Sequence, residues 1–260
     1  MSMADRNVAT FDGRANDYLG VVELQLPELA LLPRFRGRWD GLSVLDIGIG
    51  AGRTSRTFAA IAGSYVGIEI APRMLERARA VVPQGDAIEL LLGDARDLSA
   101  LGERRFDLVL FSFNGIDYVD HEERLGVLAQ MRQHTAADGY CSFSSHSLAA
   151  LPLEVPHARR PSPMRPLSSS SEFLATRRRA KLLREINAEI DLGAARRQGW
   201  TILRDEDRDL TSYYVDPAEQ RRQLDEAGFE LIEIMDLEGV VRDAADPGPD
   251  LWLHYLCKPR

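Results

Sequence analysis

The chain has 260 residues, of which 45% are hydrophobic and 28% charged, and its net charge is −8. That composition describes a soluble globular protein of one large domain or two small ones. The acidic balance argues against a protein that holds polynucleotide through bulk charge.

The opening MSMADRNVATFDG has no apolar signal region, and no apolar run approaches about 18 residues, so a cytoplasmic protein with no membrane partner is expected. Residues 14–35 carry a helical apolar pattern interrupted by Pro27. A clear alternation follows. Residues 42–48 (LSVLDIG) predict a strand, 53–63 a helix ended by Gly63, and 64–70 (SYVGIEI) a second strand. Residues 71–82 predict a helix with Pro72 in its first turn, where a missing N–H costs little. Residues 87–94 and 106–113 predict two more strands, the second almost continuously apolar, as a strand covered on both faces should be. A helix over 121–135 and a fifth strand over 139–147 complete the alternation, which implies a parallel sheet with helices on both faces.

The pattern breaks near residue 148. Residues 151–171 are rich in Pro, Ser and Arg and predict a long loop containing His157. A helix is expected over 171–199, with Arg177, Arg178 and Arg179 on a solvated face or against an acidic substrate, then two short strands over 200–205 and 209–215. Asp216 and Pro217 open a helix that Gly228 closes. Residues 229–239 and 251–259 predict a final antiparallel hairpin. The two cysteines, Cys141 and Cys257, fall in apolar strand-like runs and lack metal-ligand spacing, so buried reduced thiols and no metal site are expected.

The first strand runs into Gly48, Gly50 and Gly52 and then a helix, the setting in which an open α/β sheet brings its backbone close to a ligand. The dinucleotide pattern G-x-G-x-x-G is not met: the third glycine comes one residue early, and Arg53 stands where that pattern needs glycine. Asp46, just ahead of the turn, would repel a pyrophosphate and suits an ammonium group. Glu69 ends the second strand, where a carboxylate accepts from ribose hydroxyls. Asp94 ends the third, placed for an exocyclic adenine amine, with the Ala95 N–H beside the ring. Three carboxylates at three successive strand ends fit a ligand with an ammonium, a ribose and an adenine but no phosphate.

In these stretches the chain resembles the class I S-adenosylmethionine-dependent methyltransferases. VLDIGIGAGRTS is similar to their first motif, VGIEIAPRMLERAR to the second, LLGDARDL to the third and FDLVLFSFNGIDYVD to the fourth. HTAADGYCSFSSHS resembles the fifth strand and its approach, LDEAGFELIEI and the closing strand the final helix and hairpin, and FDGRANDY a tyrosine-containing segment over the cofactor. The resemblance covers residues 8–148 and 212–260. It implies one methyltransferase domain over 1–260: a Rossmann-like, seven-stranded, mostly parallel sheet with a terminal antiparallel hairpin. Residues 149–211 are then an inserted lid that binds substrate.

The same resemblance implies S-adenosylmethionine as cofactor. Gly48, Gly50 and Gly52 would pass beneath its methionine part, with Asp46 facing the ammonium. Glu69, with Ile70 beside it, would hold the ribose. Asp94 and Ala95 would hold the adenine, with Met74 or Leu75 packed on the ring. Tyr18 would lie over the cofactor, and Phe111 and Ser112 near the sulfonium. Asn114, Tyr118, Tyr213 and Tyr214 are candidates for the acceptor side.

Methyl transfer needs alignment above all, and orientation of that kind is worth roughly 7–11 kcal/mol. His146, just after the fifth strand, is the first candidate for a group that takes a proton, with Asn114 as its catalytic companion. His121 sits at a neighbouring position. The absence of an Asn/Asp-Pro-Pro-aromatic signature after the fourth strand, where SFNGID stands, favours a small-molecule acceptor, methylated on O or N, over nucleic acid. A non-catalytic sensor on the same scaffold, or a nicotinamide-dependent oxidoreductase, remain as alternatives.

Overall fold

The computed structural model describes residues 2–18, 20, 22–149, 151, 181–205, 209–248 and 250–260. Ten strands form one sheet: β1 Ser43–Ile47, β2 Ser64–Glu69, β3 Ile88–Leu92, β4 Phe106–Phe111, β5 Thr135–Ser147, β6 Trp200–Arg204, β7 Thr211–Val215, β8 Phe229–Asp236, β9 Val241–Arg242 and β10 Trp252–Pro259. The main order is β3-β2-β1-β4-β5-β10-β8-β9. β1 to β5 pair in parallel, and β10 enters antiparallel between β5 and β8. The mostly parallel, Rossmann-like core of seven strands is therefore present. The other three strands are β9 and the β6–β7 hairpin.

The central strands are apolar on both faces, and their alternation divides the core. Leu45, Ile47 and Val109 face Leu128 and Met131 of α6 (His121–His134) and Leu224 of α9 (Pro217–Glu226). Val44, Leu108 and Leu110 face Phe58 of α4 (Ser55–Ile61) and Leu75 of α5 (Pro72–Val81). Two-residue periodicity thus supplies two cores, one under each helical layer. Local signals set the ends. Asp120 and Glu123 form a capping box on α6, and Asp216 caps α9. Cys141 and Cys257 face each other on β5 and β10 as buried free thiols. No helix of the described residues is long and apolar enough to cross a membrane.

Two expected segments are corrected. The N-terminal helix is not at 14–35. It is α1, Met3–Gly13, capped by Ser2 and Asp5, and only the short α2 (Leu26–Leu29) and α3 (Leu31–Arg34) follow. α1 buries Met3, Ala4 and the polar Asn7, too weak an apolar stripe to register as a periodic pattern. The helix expected over 171–199 is broken in its described part: residues 181–186 are helical (α7), and α8 follows at Leu192–Gln198. Asn187 interrupts it, because its amide donates to the carbonyls of Leu183 and Arg204 and accepts from the Arg204 N–H. Asp191 then caps α8, and Gly199, at φ 82°, ends it.

The β6–β7 hairpin joins the sheet through β7, beside the carboxyl end of β5. His146 and Ser147 of β5 pair in parallel with Tyr214 and Val215, beyond the point where β4 ends. The β6–β7 hairpin therefore continues the sheet past the carboxyl end of β4. His157 and Arg177, Arg178 and Arg179 lie outside the described residues.

Candidate active site

The order β3-β2-β1-β4-β5 reverses direction at β1, and a crevice opens beyond the carboxyl ends of these strands. The glycine turn forms its floor. All three glycines have positive φ, at 64°, 56° and 90° for Gly48, Gly50 and Gly52, but for different reasons. A Cβ on Gly48 would lie 2.6 Å from Cε2 of Phe111. One on Gly52 would lie 3.1–3.3 Å from Val81, Val82 and Ala78 of the α5 region. One on Gly50 would meet nothing within 4 Å and would project into the crevice. Gly48 and Gly50 line the pocket, whereas Gly52 is a packing glycine outside that lining, a correction to its expected role beneath a ligand.

Three amides of the turn are already engaged within the protein. Ile49 N donates to Ile68 O at 3.1 Å, Gly52 N to Ile49 O at 2.9 Å, and Gly50 N to the Glu69 carboxylate at 2.7 Å. The other Glu69 oxygen accepts from Ala71 N at 2.8 Å. Burial pushes the Glu69 carboxyl up, against the pull of these N–H donors. A pyrophosphate would find those amides engaged and a carboxylate facing it.

The pocket encloses about 1110 Å³ of empty space including its mouth, and its walls are mostly apolar. Glu69, Ile70 and Met74 stand on one side, and Asp94 and Ala95 at the end of β3. Asp94 is oriented by Arg96, whose Nε lies 2.9 Å from Oδ2 and whose other arm reaches Glu123 at 2.5 Å. Phe111 and Ser112 line the pocket from the end of β4, with Phe113, Gly115 and Tyr118 beyond them. Arg53 also lines it, forked onto the buried Glu28 at 2.5 Å for each nitrogen and lying 4.9 Å above the Phe113 ring. Burial works to raise the Glu28 carboxyl, but Arg53 and the Ser112 hydroxyl outweigh it and hold it below the usual range.

α1 covers this space; the FDGRANDY resemblance points to its last turn and Tyr18, but not to the helix that precedes them. Ala4, Val8 and Phe11 face the pocket, and Phe11 packs edge-on against Tyr118 at 4.7 Å and beside Tyr18 at 6.0 Å. The buried Asn7 ties the helix down. Its Nδ2 donates to Tyr118 O at 3.0 Å and Thr211 O at 2.8 Å, and its Oδ1 accepts from Thr211 N at 3.1 Å. One amide thus joins the cover to both the β4 loop and β7.

Other expected site residues lie outside the lining. Leu75 packs in the core beneath α5 rather than on a ligand. Tyr213 is fully buried under Arg124, with its hydroxyl 2.7 Å from His121 Nδ1, and His121 itself stacks on Trp200 at 4.1 Å. Tyr214 packs 4.9 Å from the His146 ring. His146 and Asn114 sit behind the pocket wall, with His146 Nε2 and Asn114 Nδ2 3.3 Å apart and His146 Nδ1 2.7 Å from Asp117. The expectation that these two face an acceptor directly is corrected: β7 and Trp252 of β10 enclose that end of β5.

Asp46 is corrected in the same way. Asp46 is 1% exposed, and its carboxylate accepts from Thr54 Oγ1 at 2.6 Å and Tyr65 OH at 2.7 Å, outside the pocket lining but directly behind Thr54, which belongs to it. Burial pushes its carboxyl up to about 6 from an ordinary 3.8. The folded state therefore binds this proton more tightly than the unfolded chain does. The resulting stabilisation is full below about pH 4 and is lost as pH rises through about 6. Relative to Asp46→Asn, the wild type should gain about 2 kcal/mol as pH falls from 7.5 to 4.5, read from denaturant melts. A difference that stays flat over that range would show that the carboxyl titrates as if exposed.

Residues 44–139 match the family described as "Methyltransferase domain". Within the chain, 84 residues are 39% identical to the ubiquinone biosynthesis O-methyltransferase of Cereibacter sphaeroides, 32% of each protein. The match thus spans about a third of the length of that curated relative. The fold is similar to an S-adenosylmethionine-dependent methyltransferase from Mesorhizobium loti, with TM-score 0.60, 19% identity and coverage of 90% of this chain and 97% of that one. It is also similar to DhpI in complex with S-adenosylhomocysteine, with TM-score 0.58, 15% identity and coverage of 99% and 97%.

Proposed function

We propose, from the premise that residues 44–139 are a methyltransferase domain of the class I S-adenosylmethionine-dependent type, that this protein methylates an oxygen or nitrogen of a small-molecule acceptor. The observation that carries the reading is the glycine turn. Its Gly50 amide is bonded to Glu69, its Gly50 Cα opens onto empty space, and Glu69 and Asp94 both line the pocket. That pair of acceptors suits a ribose and an adenine amine and repels a dinucleotide pyrophosphate. Apolar walls suit the remainder of the cofactor and a small acceptor. A closed cover formed by α1 leaves a concave space for a small molecule rather than a groove for nucleic acid. The buried free thiols fit a cytoplasmic location.

When bound, S-adenosylmethionine supplies an electrophilic methyl group on a positively charged sulfur. The chain's part is to orient and to exclude water. Glu69 would fix the ribose through lone pairs left over from Gly50 and Ala71, and Asp94 with Ala95 would fix the adenine edge. Met74 and Tyr18 would bound the cofactor on its apolar sides. Ser112, Phe113 and Tyr118 would form the acceptor wall. Burial keeps the Tyr118 phenol well above its ordinary range, so at neutral pH it is a protonated group that orients the acceptor by hydrogen bonding. His146 and Asn114 act from behind that wall.

The test is a calorimetric titration of S-adenosylhomocysteine into the full chain, with a reduced nicotinamide dinucleotide in parallel. Saturable one-to-one binding of the first alone is expected. Gly50→Leu should weaken it at least about 100-fold by filling the cradle, with only the modest folding cost of a left-handed non-glycine residue. Binding of the dinucleotide, or of neither compound, would overturn the proposal.

A further inference from the structure

Asp117 is singled out by no motif, yet its carboxylate is fully buried and surrounded by donors. Oδ1 accepts from Ser145 Oγ at 2.7 Å and pairs with Arg124 Nη1. Oδ2 accepts from the backbone N–H of His146 at 2.6 Å and faces His146 Nδ1 at 2.7 Å. Arg124 is itself fully buried and donates to Ile116 O at 3.2 Å, Ser145 Oγ at 3.0 Å and Gln220 Oε1 at 2.5 Å. The carboxylate cannot move without disrupting all of these.

An ionised carboxylate only accepts, so His146 Nδ1 carries the proton and Nε2 carries the lone pair. That lone pair meets Asn114 Nδ2 at 3.3 Å. The tautomer also fixes the amide: turned over, Asn114 Oδ1 would face the lone pair. Asn114 Oδ1 is accordingly left buried without a protein partner. The backbone held by this contact is costly. Phe113 and Asn114 are consecutive non-glycine residues at φ 60° and 59°. Such conformations persist where the surroundings over-determine them. Here the turn brings Phe113, Gly115 and Tyr118 to the pocket wall.

We propose that Asp117 is a positioning residue for the acceptor wall: it sets the His146 tautomer, and His146 through Asn114 holds the strained turn in place. The catalytic consequence rests on the methyltransferase reading, since in a reaction driven by alignment a displacement of about 1 Å can cost about 100-fold in rate.

The experiment is a two-bond ¹H–¹⁵N correlation at pH 7.5 on the full chain labelled at its five histidines, with His146 assigned by the signals lost in His146→Gln. The wild type should show His146 protonated on Nδ1 alone. In Asp117→Asn, Arg124 claims the amide oxygen and leaves the NH₂ facing the imidazole, so the proton should move to Nε2. The backbone amide signals of Phe113 to Tyr118 should shift with it. If Asp117→Asn does not fold, the wild-type spectrum and a further pair decide. Loop signals should stay closer to wild type in His146→Gln, whose side-chain oxygen can accept from Asn114, than in His146→Leu. A wild-type Nε2–H imidazole overturns the proposal, as does an unchanged loop in Asp117→Asn, or equal loop shifts in the Gln and Leu variants. Calorimetric binding of S-adenosylhomocysteine to the same wild-type sample tests the methyltransferase reading separately. Failure there would remove the catalytic consequence while the spectra still decide the positioning.

Discussion

Glu69→Gln is expected to weaken S-adenosylhomocysteine binding roughly 100- to 1000-fold. The carboxylate already accepts from Gly50 N and Ala71 N, and in the proposed complex it accepts from two ribose hydroxyls as well. Four donors converge on it, which only a group without donors of its own can serve. Glutamine replaces one oxygen with an NH₂ that must point at the Gly50 or the Ala71 amide hydrogen. Either orientation breaks a backbone contact and removes an acceptor from the ribose. Hydrogen bonds to a charged group are worth about 1.5–3 kcal/mol each; the ribose loses one acceptor outright and the charge on the other, which accounts for the expected factor, while the lost backbone contact is a cost to the fold. Calorimetry reads the affinity, and a thermal melt without ligand separates it from the cost to the fold. Affinity within a few-fold of wild type would remove Glu69 from the ribose site and leave it as a brace for the glycine turn.

The sheet was legible because β1, β2 and β4 are covered on both faces, so nearly every residue is apolar and the turns between them stand out. Helix ends were legible where Asp216, Pro217 and Gly228 mark them. α1 was not, because what anchors it is the amide of Asn7, which makes no periodic signal. The break at Asn187 was hidden for a similar reason: it comes from the tertiary bonds between Asn187 and the Arg204 backbone, which leave no periodic signal.

In the site, strand order alone carried Glu69 and Asp94 to the pocket, since any residue at the end of β2 or β3 arrives there. Side-chain direction was the missing information. Asp46 shares the face of Val44, so it turns under α4 to Thr54 and Tyr65. Tyr213 and Tyr214 are consecutive on β7 and so point oppositely, one beneath Arg124 and one beside His146. The three glycines read alike in sequence, yet one accommodates Phe111, one opens to the pocket and one packs on α5. Arg124, in a run of charged residues at the start of α6, reads as a solvated cation; its burial depends on Asp117 of the loop after β4 and on Gln220 and Gln223 of α9 meeting it from two other segments.

That burial leads to the largest expected effect on stability. Arg124→Met should cost about 3–5 kcal/mol, because it removes one member of a fully buried ion pair and strands the other. The strain does not stop at Asp117. Ile116 O and the side-chain oxygens of Gln220 and Gln223 lose their donor together, in a region that excludes water. For a chain of this size the midpoint of thermal unfolding should fall by roughly 6–20 °C. Methionine fills much of the same volume, so the loss reads charge and hydrogen bonding rather than a cavity. Combining it with Asp117→Asn should restore part of the stability, because the stranded carboxylate is then gone. A double-mutant cycle should give a coupling of about 2 kcal/mol or more. Strict additivity would mean that Asp117 is held by Ser145 and His146 alone. The ion pair would then be incidental to the turn that His146 and Asn114 support, and the pocket wall would depend on the histidine rather than on the arginine beneath it.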